Sequence, residues 1–178
     1  MRHSREAPMT TIRPASVEDA AALYEFRASL RVESLPTLLR HDRIYSVAEE
    51  GTFLRNFVER DNWMFFLAYE GSKIVGHLEL SGGLHSQTRH VANLGMSVIG
   101  PFRGRGIGTE MFSIAKAWAL RAGILRIELE VFESNAAAIR LYDRLGFVRD
   151  GLRPDAVRTE SGFESLVSMS IAVPETSA

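Results

Sequence analysis

Arg103-Gly104-Arg105-Gly106-Ile107-Gly108 is the stretch of this chain with the clearest chemical use. It lies between a strand-like run and a helix-like run. Closely spaced glycines allow a tight turn in which several backbone N–H groups point into one concavity. The start of a helix adds N–H donors without intrahelical partners, together with the positive end of its dipole. Such a loop cradles an anion and suits a phosphate or pyrophosphate. Arg103 and Arg105 add mobile positive charge at its rim. The plain alternative is a glycine-rich turn with solvated arginines. Two other phosphate loops fit poorly. A Walker loop closes on Gly-Lys-Ser/Thr, whereas Gly108-Thr109-Glu110 has no lysine. A dinucleotide fingerprint counted from Gly104 meets Thr109 where its third glycine belongs, and no repeated βαβ pattern surrounds it.

Other residue types narrow the chemistry. There is no cysteine, so disulfides, thiolate metal sites and a thiol nucleophile are excluded. The histidines (His3, His41, His77, His85 and His90) form no ligand spacing with acids, and no metal site is expected. His85 and His90 flank an expected hairpin tip and read as surface groups. Glu130 sits in an alternating run, with Arg126, Glu128, Glu130 and Phe132 on one face and Leu125, Ile127, Leu129 and Val131 on the other. A solvated strand face explains Glu130 as well as a chemical role does. Glu79, near the end of an adjacent strand, is the other carboxylate in reach. Tyr142 lies in a Leu141, Tyr142, Leu145 stripe that reads equally as core.

Several elements must position these residues. Thr10 to Arg13 reads as a strand stopped by Pro14. Ser16 with Asp19 gives the Ser-x-x-acid start of a helix whose apolar stripe opens with Ala20, Leu23, Tyr24 and Phe26. The pattern from Arg31 to Arg43 is irregular and broken by Pro36, and a second amphipathic helix covers Val47 to Arg60. The period then changes to two. Trp63 to Tyr69, Lys73 to Leu80 and His90 to Ile99 read as three hairpin-linked strands. A helix over Thr109 to Arg121, a strand over Leu125 to Phe132 and a helix over Asn135 to Leu145 follow. Gly123 and Gly146 stand where glycine ends such helices. Phe147 to Asp150 and Leu166 to Val173 form the final strand pair, joined by a polar loop. Only the crossover through 109–121 must join parallel strands. The expected fold class is therefore α/β: a mixed, mostly antiparallel sheet flanked by helices, rather than a doubly wound one.

With 178 residues, 46% hydrophobic and 24% charged, the chain suits one domain with a real core. That domain is expected over 9–173, with flexible tails at 1–8 and 174–178. The formal net charge is −1 and basic residues are scattered, which gives no footprint for nucleic acid or for an anionic membrane surface. Trp63 to Tyr69 is the longest apolar stretch, too short to span a bilayer, and Met1 to Pro8 lacks the apolar core of a secretory signal. A cytoplasmic location is expected.

The glycine loop resembles the signature of the GNAT superfamily of acyl-CoA N-acyltransferases. Its pattern Arg/Gln-x-x-Gly-x-Gly/Ala is met by Arg103, Gly106 and Gly108. A second block, Asn-x-x-Ala-x-x-x-Tyr followed by Gly-Phe, is met by Asn135, Ala138, Tyr142, Gly146 and Phe147. The strand ending Met96-Ser97-Val98 also fits. The resemblance is dense over 63–150 and weak before 46. One departure is Gly100-Pro101, where proline falls one residue later than in the family.

The resemblance implies acetyl-CoA as cosubstrate, bound where the parallel crossover lies. Backbone groups of Met96 and Val98 are expected to pair with the pantetheine arm, which behaves as an added strand. The N–H groups of Gly104, Arg105, Gly106, Ile107, Gly108 and Thr109 hold the pyrophosphate, and Asn135 touches the cofactor near the splay between the strands ending at Ile99 and Phe132. Tyr142 faces the sulfur. A phenol of ordinary pKa near ~10 can protonate the departing thiolate. Glu130 matches the base of the ribosomal-protein N-terminal acetyltransferases, with Glu79 or a water chain as alternatives. The expected acceptor is a primary amine, an amino acid first, whose carboxylate would need a cation such as Arg31, Arg153 or Arg158. A protein N-terminus, a CoA-sensing module without chemistry and a nicotinamide oxidoreductase stay open as other readings. The family also implies a homodimer.

Overall fold

The computed structural model describes residues 10–33 and 45–174. Along the chain run β1 (Thr11–Pro14), α1 (Ala20–Val32), α2 (Val47–Val58), β2 (Trp63–Glu70), β3 (Lys73–Gly82) and β4 (Val91–Val98). After these come α3 (Ile107–Arg121), β5 (Arg126–Phe132), α4 (Ala136–Leu145), β6 (Val148–Thr159) and β7 (Gly162–Ala172). The strands form one sheet in the order β1-β2-β3-β4-β5-β7-β6, and only β4 and β5 pair in parallel. This is the mixed, mostly antiparallel sheet with one parallel crossover that the sequence predicts. The expected tails and the irregular stretch from 34 to 43 fall outside the described residues, apart from Pro174.

Local chemistry sets the helix starts. Asp19 is 7% exposed and collects five donors, the Ser16 hydroxyl at 3.3 Å among them. Arg13 reaches it at 2.6 and 2.9 Å, the Ser16 backbone N–H at 2.8 Å and the Tyr69 hydroxyl at 2.7 Å. One carboxylate thereby ties β1, the entry to α1 and β2 together. Ser46 and Glu49 close a reciprocal capping box at the start of α2.

Register decides which side chains meet. Phe65, Phe66, Leu67 and Ala68 are all buried, so both faces of the central sheet are covered. Phe53 and Phe57 of α2 pack on Phe65, and Phe26 of α1 meets His77 edge-on. Phe65 pairs across the ladder with Glu79, and Leu67 with His77, so both polar residues lie on the α1/α2 face. The opposite face meets α3, whose Met111 lies against Gly76.

The parallel pairing is short. It joins Val91 to Arg126, Ala92 to Ile127 and Asn93 to Glu128, and there it stops. β4 continues to Val98 and β5 to Phe132, so the two strands part and leave the end of β4 open on that side.

Two expectations are corrected. α3 begins at Ile107, not Thr109, because Gly106 supplies a left-handed N-cap at φ +84° and Glu110 N–H already bonds the Gly106 carbonyl at 3.0 Å. The expected polar loop after Asp150 is instead most of a long β6–β7 hairpin. Residues 148–155 are exposed on both faces, which erases the apolar alternation that marks a strand. Pro154 is tolerated because β6 is the last strand of the sheet and its register shifts between Arg153 and Val157.

Candidate active site

The open end of β4, the glycine loop and α4 enclose a cavity of about 550 Å³. Met96, Val98, Arg103, Gly104, Gly106, Ile107, Gly108, Thr109, Asn135 and Tyr142 all line it. The N–H groups of Ile107, Gly108 and Thr109 open α3 and have no intrahelical partner. Gly104 and Gly106 adopt φ of +73° and +84°, where a side chain is strained, and a Cβ at either would meet nothing within 4 Å. The loop is therefore a shaped concavity with free donors, and it fits an anion.

The arginines behave differently from the expected mobile rim. Arg103 forms an ion pair with Glu33 and donates from Nε to the Val98 carbonyl at 2.8 Å. Arg105 lies outside the cavity lining, bonded to Glu70 at 2.9 Å and stacked over Phe102. Backbone amides, rather than loose arginines, give this loop its polarity. Arg140 and Arg144, one turn apart on α4, supply cationic lining that the sequence reading missed. Their signal was helical spacing from Ala137 and Leu141.

A second cavity of about 520 Å³ lies under α1 and α2. Met96, Ser97, Asn135, Ala138 and Tyr142 line both cavities, so the two meet where β4 and β5 part. Asn135 commits its Oδ1 to the Ala138 N–H, capping α4 at this junction. Tyr142 is buried against Phe147. Among the described residues its hydroxyl makes no hydrogen bond, yet it is not sealed from the clefts. Burial pushes its pKa up to about 12, so the phenol stays protonated at every working pH.

The second cavity is strongly polar for so covered a place. Glu50 is 1% exposed and bonds Arg27 at 2.8 Å, while the Arg27 guanidinium lies over Phe53. His77 stacks on Phe65, with its Nδ1 2.9 Å from Ser97 Oγ. Burial, and then the charge of Arg27, lower its pKa to about 3, so this imidazole is neutral. Glu79 is also in this wall, and burial raises its pKa against an opposing pull from Arg27. Glu130 lines the same cleft and forms an ion pair with Arg153. Of the three cations expected near an acceptor carboxylate, Arg31 lines the cleft. Arg153 turns to Glu130, and Arg158 lies over Phe163 in the exposed hairpin. Arg27, Glu50 and His77 were missed. Arg27 and Glu50 each occupy an apolar-stripe position, four residues after Leu23 and four before Leu54, and a charge there signals a buried pair.

Among the described residues no group of three or more acidic or histidine side chains could hold a metal, and no helix is long and apolar enough to cross a membrane.

A model of the acetyltransferase (GNAT) family matches residues 22–147. The chain belongs to that family. The matched span runs from α1 to Phe147, so both cavities of this GNAT domain lie within it and the β6–β7 hairpin lies beyond. The chain is similar to the N-alpha-acetyltransferase MAK3 of Arabidopsis thaliana, 38% identical over 95 residues, which are 53% of this chain and 50% of the relative. It is similar to the L-amino acid N-acetyltransferase AaaT of Escherichia coli K12, 37% identical over 82 residues, 44% of this chain and 49% of the relative. The chain thus spans about half the length of these curated relatives. In three dimensions it is similar to yncA of Salmonella typhimurium, a putative acetyltransferase solved with its cofactor acetyl-CoA. That likeness has a TM-score of 0.83 at 21% identity and covers 96% of this chain and 97% of that one. At that identity the likeness concerns the fold.

Proposed function

We propose that this chain transfers the acetyl group of acetyl-CoA to a primary amine by direct attack. The observation that carries the reading is the junction: an anion-cradling cleft and a polar cleft meet at one protonated phenol, Tyr142. The cradle amides of Ile107, Gly108 and Thr109 would hold the pyrophosphate, and the unpaired end of β4 would take the pantetheine amides as a neighbouring strand. The thioester supplies the activated acetyl group. The protein's own tasks are to accept a proton from the incoming ammonium, to position the carbonyl, and to give a proton to the departing thiolate. Tyr142 performs the last task, and the carboxylates of the acceptor cleft, Glu130 and Glu79, are the groups available for the first.

A small amine, with a free amino acid first, is supported by the charged cleft in which Arg27 and Arg31 stand with Glu79 and Glu130. The similarity to MAK3 supports a second reading, acetylation of a protein N-terminus. A cytoplasmic homodimer remains part of the first reading, and light scattering checks the dimer. The test of function is release of the CoA thiol from acetyl-CoA across free amino acids, polyamines, aminoglycosides and peptides with varied N-termini. Turnover with free amines supports the first reading, and turnover with peptides alone replaces it with the second. Tight acetyl-CoA binding without turnover of any amine overturns both in favour of a sensing module.

A further inference from the structure

We propose that Glu79 is the carboxylate that takes the proton from the acceptor's ammonium, and that Gly95 is the residue that seats it there. The proposal rests on the acetyl-transfer reading above and specifies which group begins the reaction.

Three carboxylates line the acceptor cleft, and they are not equivalent. Glu50 is bonded to Arg27 at 2.8 Å, and Glu130 is paired with Arg153. Among the described residues Glu79 has neither a hydrogen bond nor an ion pair, although it stands in the cleft that Tyr142 also lines. A half-buried carboxylate without a donor is costly, and an incoming ammonium brings three donors and a positive charge. Glu130 already has its cation. Glu79 has a place for one.

The seat is a matter of space. Glu79 and Gly95 are direct partners across β3 and β4. A Cβ on residue 95 would lie 2.8 Å from Glu79 Oε1, 3.0 Å from its Cγ and 3.2 Å from its Cδ. Gly95 is not among the glycines with positive φ, so its backbone does not require glycine. What requires glycine is the Glu79 side chain opposite, which lies over residue 95 of β4. Any larger residue at 95 would displace the carboxylate.

The surroundings suit a base. Burial raises the Glu79 pKa, and the positive charge of Arg27 opposes that rise. The groups facing the cleft are Arg27 and Arg31 from α1, Glu50 from α2, neutral His77 on the same strand, Glu130 from β5 and protonated Tyr142 from α4. The phenols of Tyr24 and Tyr45 complete the wall. A carboxylate whose pKa is raised is better matched to an ammonium than an ordinary one.

The step balances as follows. A Glu79 oxygen, directly or through one water, accepts one ammonium proton and leaves a neutral amine. Its lone pair attacks the thioester carbonyl carbon, the C–N bond forms and the C–S bond breaks. The thiolate takes the Tyr142 phenolic proton. The second proton lost by nitrogen restores the phenol, and Glu79 returns its proton to solvent.

The test uses the whole chain and, as probe, whichever amine of the free amino acids and varied peptides the wild type acetylates fastest. Glu79→Gln, nearly isosteric, is expected to lose about 100-fold in kcat/KM near neutral pH. The loss should shrink as pH rises toward the amine's own pKa, with acetyl-CoA affinity by calorimetry unchanged. Glu79→Gln should lose more than Glu130→Gln at every pH below that point. Gly95→Ala is expected to lower kcat and displace the acid limb of the pH profile, which a merely structural role would leave in place. Glu79→Asp, whose shorter side chain clears a Cβ at 95, should cost less in the Gly95→Ala background than alone. If Gly95→Ala does not fold, the Glu79 and Glu130 variants decide. Wild-type turnover with normal Glu79→Gln rates, a loss equal at every pH, or a greater loss in Glu130→Gln overturns the Glu79 assignment alone. A wild type that binds acetyl-CoA but acetylates no amine overturns the acetyl-transfer reading and Glu79's role with it.

Discussion

Glu33, the residue that follows α1, accepts the backbone N–H of Gly100 at 2.6 Å. Its other carboxylate oxygen takes the guanidinium of Arg103. A single side chain on the acceptor side of the molecule therefore fixes the turn that leads into the phosphate cradle. It also pairs with Arg103, which lines the cradle cavity, and so competes for that charge. Pinning the turn and competing for Arg103 are separable, because only the second needs a charge.

Glu33→Gln should separate them. Glutamine still offers an oxygen to Gly100, while the charge competing for Arg103 is gone. Partly exposed ion pairs contribute roughly 0.2–1 kcal/mol, so acetyl-CoA should bind up to about fivefold tighter at low salt. The gain should fade at high salt as screening sets in. Calorimetry at two ionic strengths checks this. Equal affinity at both would mean that Arg103 plays no part in binding.

Gly106→Glu is expected to weaken acetyl-CoA binding on the order of 100-fold, since it puts a negative charge where the pyrophosphate is proposed to sit. Gly106→Asn is the control. Asparagine tolerates the left-handed φ of +84° and adds no charge. It should keep the fold, as read by thermal unfolding, with a smaller loss of affinity. Equal affinity loss in the two would assign the effect to the backbone rather than to charge.

Much of the fold is legible in the sequence. The hairpin-linked strands, the crossover and the junction residues follow from period changes and from two dense motifs, because the buried strands and cofactor-facing loops constrain residue types tightly. The acceptor cleft was far less legible. Arg27 and Glu50 lie 23 residues apart and meet only because α1 and α2 pack together. Glu79 gains its room across β4 from a glycine on the neighbouring strand, a relation of register that no local pattern contains. The β6–β7 hairpin failed for the opposite reason: a strand exposed on both faces imposes no alternation to read.

Asp19 predicts how the fold responds to acid. Arg13 first, then the Ser16 N–H and the Tyr69 hydroxyl, hold its carboxyl far below the ordinary value of 3.8, against the opposing effect of burial. A folded pKa below the unfolded one means the unfolded chain binds more protons as pH falls. The stabilisation is full above 3.8 and is lost as pH drops from there toward the folded value. Asp19→Asn should cost about 2 kcal/mol at neutral pH, or about 4–8 °C in Tm. The gap from wild type should narrow below pH 3.8. A gap that is the same at pH 7 and pH 3 would show that the charge of Asp19 contributes nothing.

Tyr142→Phe isolates the phenolic proton. The ring packs on Phe147 and the hydroxyl has no protein partner among the described residues, so removing it orphans no buried group and leaves the packing in place. Stability should change little, because the usual cost of deleting a buried hydroxyl is the unpaired partner left behind. Acetyl-CoA affinity should also hold, since the cradle amides and the open end of β4 are untouched. The loss belongs to the chemical step: kcat should fall by about 10²–10⁴-fold while the acetyl-CoA dissociation constant stays nearly constant, the pattern of an interaction made in the transition state. The raised pKa fixes the pH signature. With the phenol protonated up to about pH 12, Tyr142 contributes no descending limb to the wild-type rate between pH 6 and 10. The fold loss in Tyr142→Phe should therefore be constant across that range, unlike the loss from a base, which closes as pH rises. Steady-state rates over pH 6–10 with calorimetry on the same samples make the measurement. Normal turnover in the phenylalanine variant would leave Tyr142 a packing residue, and the thiolate would then take its proton from water.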